Sequence, residues 1–321
     1  MSLSRRTILK ASAIACAVPP VHAQQFPSRP IRIIVAASPS TSLDLTARFL
    51  VEPLGQRLNT PVLVENKVGA NGIIGTDFVA KSPPDGHALL ITAIPIYTNR
   101  WISETPLPYD PIKDFTPIAK LNNSAIVLLV PTNSPHRTLM DLVQDMKARP
   151  GEVAYSTAGT GSTTHLAIVV LNEMTRTTAR HIPYKGAAAA VTDTVSGQVA
   201  FTFQSPSSAL QLVKGGRLRA LAVSGTRRLE GLPDVPTVAE AGVPGYDLTS
   251  FIGIMGPAGM PAPIVQKLSD ELLQIGNPPA YREFCIAQSL TVDLADARAF
   301  AAEAPKELER WRRIIEVSKK G

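Results

Sequence analysis

The sequence predicts an α/β protein of two domains, each built on an open, mainly parallel sheet flanked by helices. Three observations lead there. The chain has 321 residues, 45% of them hydrophobic and 18% charged, which is long enough and apolar enough for two cores. Short β-branched runs alternate with amphipathic runs along the whole chain, the pattern of repeated β-α-β units. Four of the strand-to-helix junctions also share one chemistry, a turn rich in glycine or hydroxyl side chains followed by a helix start.

Taken in order, Ile31-Arg-Ile-Ile-Val-Ala36 reads as a buried strand. The loop Ala37-Ser-Pro-Ser-Thr-Ser-Leu-Asp44 enters a helix with Leu45, Phe49, Leu54 and Leu58 on one side. Thr41 and Asp44 have the spacing of a capping box, with Asp in place of Glu. Val62 to Glu65 is the next strand, Asn66 to Gly72 a second such turn, and Ile73 to Lys81 a helix. Pro83-Pro-Asp-Gly86 is a turn, because proline presets φ and glycine accepts positive φ. Ala88 to Ala93 is a strand, and the apolar run Leu121 to Val130 is expected to carry the chain into a second domain. There, Leu139, Leu142, Val143 and Met146 form a helical stripe. The third junction, Tyr155-Ser-Thr-Ala-Gly-Thr-Gly-Ser-Thr-Thr-His165, is the richest in hydroxyls. Its glycines let the backbone approach a ligand, and a helix that starts there offers unpaired N–H groups to an anion. Arg180 to Gly186 leads into the alanine-rich helix from Ala187 to Ser196, the fourth junction. Val199 to Phe203 and Leu218 to Ser224 are strands, and Pro233 to Gly245 is too heavily punctuated to be more than a loop. Leu248 to Met255 is a strand expected to return to the first domain. Two amphipathic helices follow, one through Ile264, Val265, Leu268 and Leu272, the other through Leu308, Trp311 and Ile315.

The N-terminus reads as an export signal. Ser4-Arg5-Arg6-Thr7-Ile8-Leu9-Lys10 resembles the twin-arginine pattern, a short apolar run follows, and Val21-His22-Ala23 fits a signal-peptidase site, so residues 1–23 are expected to be removed. Ala13 stands where a lipobox would place leucine before Cys16, which argues against lipidation. Arg5, Arg6 and Lys10 carry half of the formal charge of +6, and residues 1–23 hold no acid, leaving about +3. With the remaining cations scattered, a nucleic-acid surface is not supported. Cys285 is then the one cysteine left, within an apolar Phe284-Cys285-Ile286 run that reads as core.

Tests for chemistry come out against catalysis. His22, His87, His136, His165 and His181 show no metal-ligand spacing, and one cysteine builds no zinc site. No dinucleotide fingerprint or Gly-Lys-Ser/Thr occurs. Neither Ser156 nor Ser162 sits in a Gly-x-Ser-x-Gly elbow, and His165 reads as a first-turn residue of its helix. Hydroxyls, glycines and helix starts without an acid–base pair describe binding, with no metal and no cofactor.

Several segments carry a family resemblance: Val64-Glu-Asn-Lys-Val-Gly-Ala-Asn-Gly72, Ala80-Lys-Ser-Pro-Pro-Asp-Gly86, Tyr155 to Ser162 with His165-Leu-Ala167, His181-Ile-Pro-Tyr-Lys-Gly186, Gly197-Gln-Val199, Arg219-Ala-Leu-Ala-Val223, Pro233 to Gly242, and Gly256-Pro-Ala-Gly259. In this order they resemble, nearly end to end, the Bug family of solute receptors, the TctC-like binding components of tripartite tricarboxylate transport systems. The resemblance implies a two-lobed, Venus-flytrap periplasmic binding fold. Residues 24–124 and 248–321 would form one lobe and 125–247 the other. It implies a monomeric receptor, in the periplasm, that closes on a small organic acid and presents it to membrane transporter subunits. A sensor ectodomain as partner is the alternative, and a serine esterase the remote one.

By the same resemblance, binding falls to three loops. They supply Ala37, Ser38, Ser40, Thr41 and Asp44; Ser156, Thr157, Gly161 and Ser162; and Tyr184, Lys185 and Gly186. Ser156, Thr157 and Ser162 are the first candidates. Asp44 either caps its helix or touches the ligand, Tyr184 is either core or ligand wall, and Lys185 either a solvated charge or an anion partner. Two departures bear on ligand class. Ser40, Thr41 and Leu43 replace a Gly-Gly pair and a threonine usual in relatives, and Ala200 replaces a frequent aspartate, which argues against an amine-bearing ligand.

Overall fold

The computed structural model describes residues 26–39, 41–103, 105–184, 186–288 and 290–318. The export-signal reading, including Cys16, falls outside these residues.

The chain opens on β1 (Ile31–Val35), whose residues at 31 and 33–35 are buried, then α1 (Ser42–Leu58), β2 (Val62–Asn66), α2 (Ile73–Ala80), β3 (Ala88–Thr92) and α3 (Pro95–Ile102). β4 (Phe115–Ser124) runs almost directly into β5 (Val127–Pro131), so one extended stretch leaves one sheet and enters another. The second sheet is completed by α4 (Leu139–Ala148), β6 (Ala154–Thr157), α5 (Thr163–Thr175), β7 (Arg180–Pro183), α6 (Ala187–Val195), β8 (Phe201–Gln204), α7 (Pro206–Lys214) and β9 (Leu218–Val223). The punctuated 233–245 stretch is turns, as its prolines and glycines require. β10 (Ser250–Pro257) returns to the first sheet, followed by α8 (Ala262–Gly276), α9 (Pro279–Ala287), β11 (Thr291–Ala295) and α10 (Ala297–Ser318).

The strand orders are β11-β4-β10-β3-β1-β2 and β7-β6-β8-β5-β9, giving two lobes. The sheets are mixed, which corrects the expectation of mainly parallel ones. β1 is parallel to β2 and β3, and β6 to β7 and β8. β10 is antiparallel to β3 and β4, β11 to β4, and β5 to β8 and β9. The reason is the double crossing. Strands that arrive from the other lobe enter their sheet against the direction set by its β-α-β units.

The first sheet packs α1 and α8 on one face through Leu50, Leu54, Leu268 and Leu272, all fully buried. Another cluster runs from Ile34 and Leu90 of the first lobe, past Phe300 and the fully buried Trp311 of α10, to Leu166 and Phe201 of the second. Burying side chains of this size contributes about 1.5–3 kcal/mol each, so this cluster fastens α10 across both lobes. Cys285 is buried on α9, and burial pushes its thiol up to about 11, as expected of a core cysteine.

Candidate functional site

In both lobes the parallel strands end on the expected loops. β1 ends at Val35 and the chain passes through residues 36–41 into α1; β2 ends at Asn66 ahead of the turn 67–72; β3 ends at Thr92 ahead of α3. A cavity of about 500 Å³ lies against these carboxyl ends, where open α/β sheets place ligands. Ala37, Ser38 and Thr41 line it, with Leu43, Val68, Asn71, Thr76, Thr92 and Ile96 among the rest of its wall. Among the described residues, none that lines it is ionisable.

The 36–44 loop is held from outside the cavity. Thr41 is the N-cap of α1, its hydroxyl accepting from the Asp44 N–H at 3.4 Å and donating to Ser38 O at 2.9 Å. Asp44 is 1% exposed. Its carboxylate accepts from Asn66 Nδ2 at 2.8 Å and from Arg48 Nε at 3.0 Å, while Asn66 Nδ2 also reaches Ala37 O at 3.2 Å. Asp44 therefore braces the loop and is withdrawn as a ligand contact. Ser40 lies outside the described residues.

Opposite this loop stands a turn the sequence marked only as a turn. Gly69, Ala70, Asn71 and Gly72 have φ of 139°, 46°, 52° and 87° in succession. A Cβ on Gly72 would lie 2.9 Å from Ala36 O, so only glycine lets this turn close on the end of β1. Asn71 and Asn99 lock it to α3: Asn71 Nδ2 donates to Asn99 Oδ1 at 2.7 Å, and Asn99 Nδ2 to Asn71 O at 3.0 Å.

The second lobe gathers the other two loops. The hydroxyls expected to meet a ligand are instead the loop's internal scaffold. Ser156 is fully buried, its Oγ donating to Ala190 O at 3.0 Å and 2.9 Å from Thr194 Oγ1. Thr157 is equally buried, its Oγ1 2.7 Å from His181 Nε2 and accepting from the Gly159 N–H at 3.2 Å. Both are withdrawn as direct donors. Ser162 is the N-cap of α5, donating to Gly159 O at 2.6 Å and accepting from the His165 N–H at 3.3 Å.

Backbone donors beside these side chains stay unpaired. The Thr163 and Thr164 N–H groups of the first turn of α5 have no hydrogen-bond partner among the described residues. α6 begins after Gly186 with no side-chain cap, and its first residues, Ala187 to Ala189, are exposed. Tyr184 is half-buried, its N–H donating to Thr157 O at 3.1 Å. Its hydroxyl donates to Asp193, a bond that raises the phenol's pKa and folds Tyr184 back along α6. Lys185 lies outside the described residues. Ala200 sits at the amino end of β8, its N–H bonded to Ala154 O, across the sheet from these loops. Its bearing on ligand class lapses.

Beneath the loop, His165 and His181 stack with ring centroids 4.2 Å apart, and Tyr155 continues the stack at 5.0 Å from His181. Burial and the neighbouring His181 push His165 down to about 4, and burial lowers His181. His165 Nδ1 accepts from the Gly161 N–H at 3.2 Å, which puts the neutral ring's proton on Nε2.

The two loop systems meet at Gly161, where a Cβ would fall 2.7 Å from Ile102 Cγ2 at the end of α3. The start of α3, at Pro95 and Ile96, lines the first-lobe cavity, about 10 Å away along the helix. No second-lobe residue lines that cavity among the described residues, so the loops bracket α3 from its two ends. Sequence reasoning missed the walls that α3 and the 68–72 turn supply. The glycines of the turn were its one visible signal.

Residues 46–319 match the family model described as tripartite tricarboxylate transporter family receptor. The chain belongs to that family. Protein BugT of Bordetella pertussis is 34% identical over 300 residues, covering 92% of this chain and 91% of BugT, in keeping with the Bug resemblance. Among solved structures, R. palustris Rpa4515 with adipate is 28% identical, with a TM-score of 0.79 and coverage of 92% of this chain and 98% of that one. MatC of Rhodopseudomonas palustris with bound malate is 26% identical, with a TM-score of 0.74 over 90% of this chain and 100% of that one. The fold of this receptor is thus that of two-lobed periplasmic binding proteins.

Proposed function

We propose that this receptor captures a small organic carboxylate between its two lobes in the periplasm and presents it to a tripartite tricarboxylate-type transporter. One lobe would comprise residues 24–124 and 248–321, the other 125–247, a division supported by the membership of the two sheets. The observation that carries the reading is the pair of neighbouring helix starts, α5 with its Thr163 and Thr164 N–H groups unpaired among the described residues and α6 with no side-chain cap, each at the positive end of a helix dipole. Gly161 and Ser162 shape the first, and Tyr184 and Gly186 the second. Ala37, Ser38 and Thr41 supply the facing surface in the first lobe. The adipate and malate bound by relatives support a carboxylate as the ligand class. Closure would remove water from these amides and strengthen each bond to the anion. With a handful of such bonds, micromolar affinity, about −8 kcal/mol, is expected.

The test is a thermal-shift screen of organic acids on the purified protein, followed by calorimetry of those that stabilise it. Stabilisation by at least one carboxylate, lost on substitution at the α5 or α6 start, is expected. A flat response to every acid would refute the reading. Export by the twin-arginine route belongs to the same proposal. Its check is whether Arg5→Lys with Arg6→Lys abolishes the periplasmic pool.

A further inference from the structure

The first-lobe cavity has a polar corner. Thr76 stands on α2, lines the cavity and is 3% exposed, so what little surface it keeps faces that space. Asn71, which also lines it, is held to Asn99 by their paired amide bonds. Tyr109 reaches the same corner from the loop between α3 and β4. The next residue fixes its place there: Asp110 Oδ1 accepts from the Ile112 and Lys113 N–H groups at 2.9 and 3.1 Å, and the Asp110 N–H donates to Asp114 Oδ2 at 2.6 Å. The Tyr109 ring packs edge-on against Phe115, with centroids 5.7 Å apart. Its hydroxyl is buried beside Thr76 and Asn99, yet makes no hydrogen bond of good geometry among the described residues.

A buried phenol without a partner loses its hydration and gets no bond in return, so folded proteins rarely keep one. Phenylalanine would fill the same space without that loss. The hydroxyl is explained if a bound ligand completes its bond, and Thr76 can make the link, because a hydroxyl both accepts and donates. Tyr109 Oη–H can donate to Thr76 Oγ1, and Thr76 Oγ1–H can then donate to an oxygen in the cavity. Uncharged donors of this kind hold a carboxylate without a counter-charge, provided that its lone pairs are satisfied.

We propose that Thr76 is a specificity-determining contact of the first lobe, donating to an oxygen at the far end of the ligand, with Tyr109 behind it as the positioning residue that orients its hydroxyl. The ligand then carries an acceptor at both ends: one carboxylate at the helix starts of the second lobe, and a carboxylate, carbonyl or hydroxyl oxygen at Thr76. This rests on the carboxylate-receptor reading above and deepens it.

Matched acids test it on the purified protein. Succinate and butyrate, adipate and hexanoate, and terephthalate and benzoate differ within each pair only at the far end, where the first of each has a carboxylate. Calorimetry is expected to show the diacid of at least one pair binding at least about tenfold more tightly than its monoacid, the scale of one hydrogen bond to a charged group. Thr76→Val is expected to remove most of that ratio and Tyr109→Phe to reduce it several-fold, both leaving the monoacid's affinity where it was. Melting temperature separates this from a structural role. Tyr109→Phe gives up a hydroxyl that has no partner among the described residues, so the ligand-free protein should melt at the same temperature or higher. A lower melting temperature with the ratio unchanged would assign the hydroxyl to a buried water and overturn the inference. So would monoacids that bind as tightly as their diacids, or an unchanged ratio in either variant, and each of these leaves the receptor reading standing. Failure of every acid to bind would remove both.

Discussion

The two loop systems solve the same problem by opposite means. In the first lobe the cavity wall includes strained backbone and apolar side chains, tied down by Asp44, Asn66 and the Asn71–Asn99 pair. In the second lobe, buried hydroxyls and a histidine stack support a loop whose outward face is bare amide. The difference teaches that polar side chains near a binding site need not be the binding groups. Here they consume one another's hydrogen bonds and leave backbone amides of the helix starts unpaired among the described residues. Each lobe's device can be broken separately.

The largest effect is expected at the seam. At Gly161, φ is +77° and an added methyl would lie 2.7 Å from Ile102 Cγ2. Gly161→Ala should cost about 1–2 kcal/mol for the left-handed backbone and about 1–3 kcal/mol for the clash. Urea unfolding and calorimetry would read both stability and affinity. Adding Ile102→Ala should recover the second part only; full recovery would mean that the backbone at Gly161 is unstrained.

Acid should weaken the second lobe through His165. The His165 imidazole is neutral in the fold down to about pH 4, whereas an unfolded histidine takes a proton near 6.5. The unfolded state therefore binds more protons in that window, so stability is greatest above pH 6.5 and falls as pH drops towards 4. The fall amounts to up to about 3 kcal/mol. His165→Asn, whose amide oxygen can stand in for Nδ1 as acceptor from the Gly161 N–H, should flatten the slope. An unchanged slope would place the acid sensitivity elsewhere.

A smaller loss distinguishes scaffold from donor. Thr157→Val removes the partner of His181 Nε2 and of the Gly159 N–H, costing about 1–3 kcal/mol of stability and weakening ligand binding through a loosened loop. Ser156→Ala should cost stability alone, since its hydroxyl faces Ala190 and Thr194. Equal loss of affinity in both would restore Ser156 as a contact.

These assignments show what the sequence made legible. The α4 stripe of Leu139, Leu142, Val143 and Met146 is buried as its spacing required, and the apolar runs of β1 and β3 are core strands. α3, α7, α9 and β11 were not legible. The helices are eight or nine residues long with proline at their starts, and β11 is a half-buried edge strand, so tertiary packing rather than local pattern decides them. In the site, the junctions were visible but side-chain direction was not. Successive strand residues point to opposite faces, so Ser156 and Thr157 could not both have faced a ligand. Which face was which depended on how β6 pairs and on where α6 lands.

The gentlest test concerns the first lobe's strain. Of the four successive residues with positive φ, two are glycine and one is asparagine, which tolerates the conformation; Ala70, at 46°, alone pays for a Cβ there. Ala70→Gly should relieve about 1–2 kcal/mol of strain in the folded chain, while the freer unfolded chain takes back about 0.4–1. The net expectation is a gain of about 0.5–1 kcal/mol, read as a small rise in melting temperature. If the strain helps hold the cavity wall in place, that gain should come with weaker ligand binding, because the Asn71–Asn99 bonds alone would then restrain a more mobile turn. A rise in stability with unchanged affinity would instead show that the strain is incidental and that the glycines and Asn71 suffice to shape the wall.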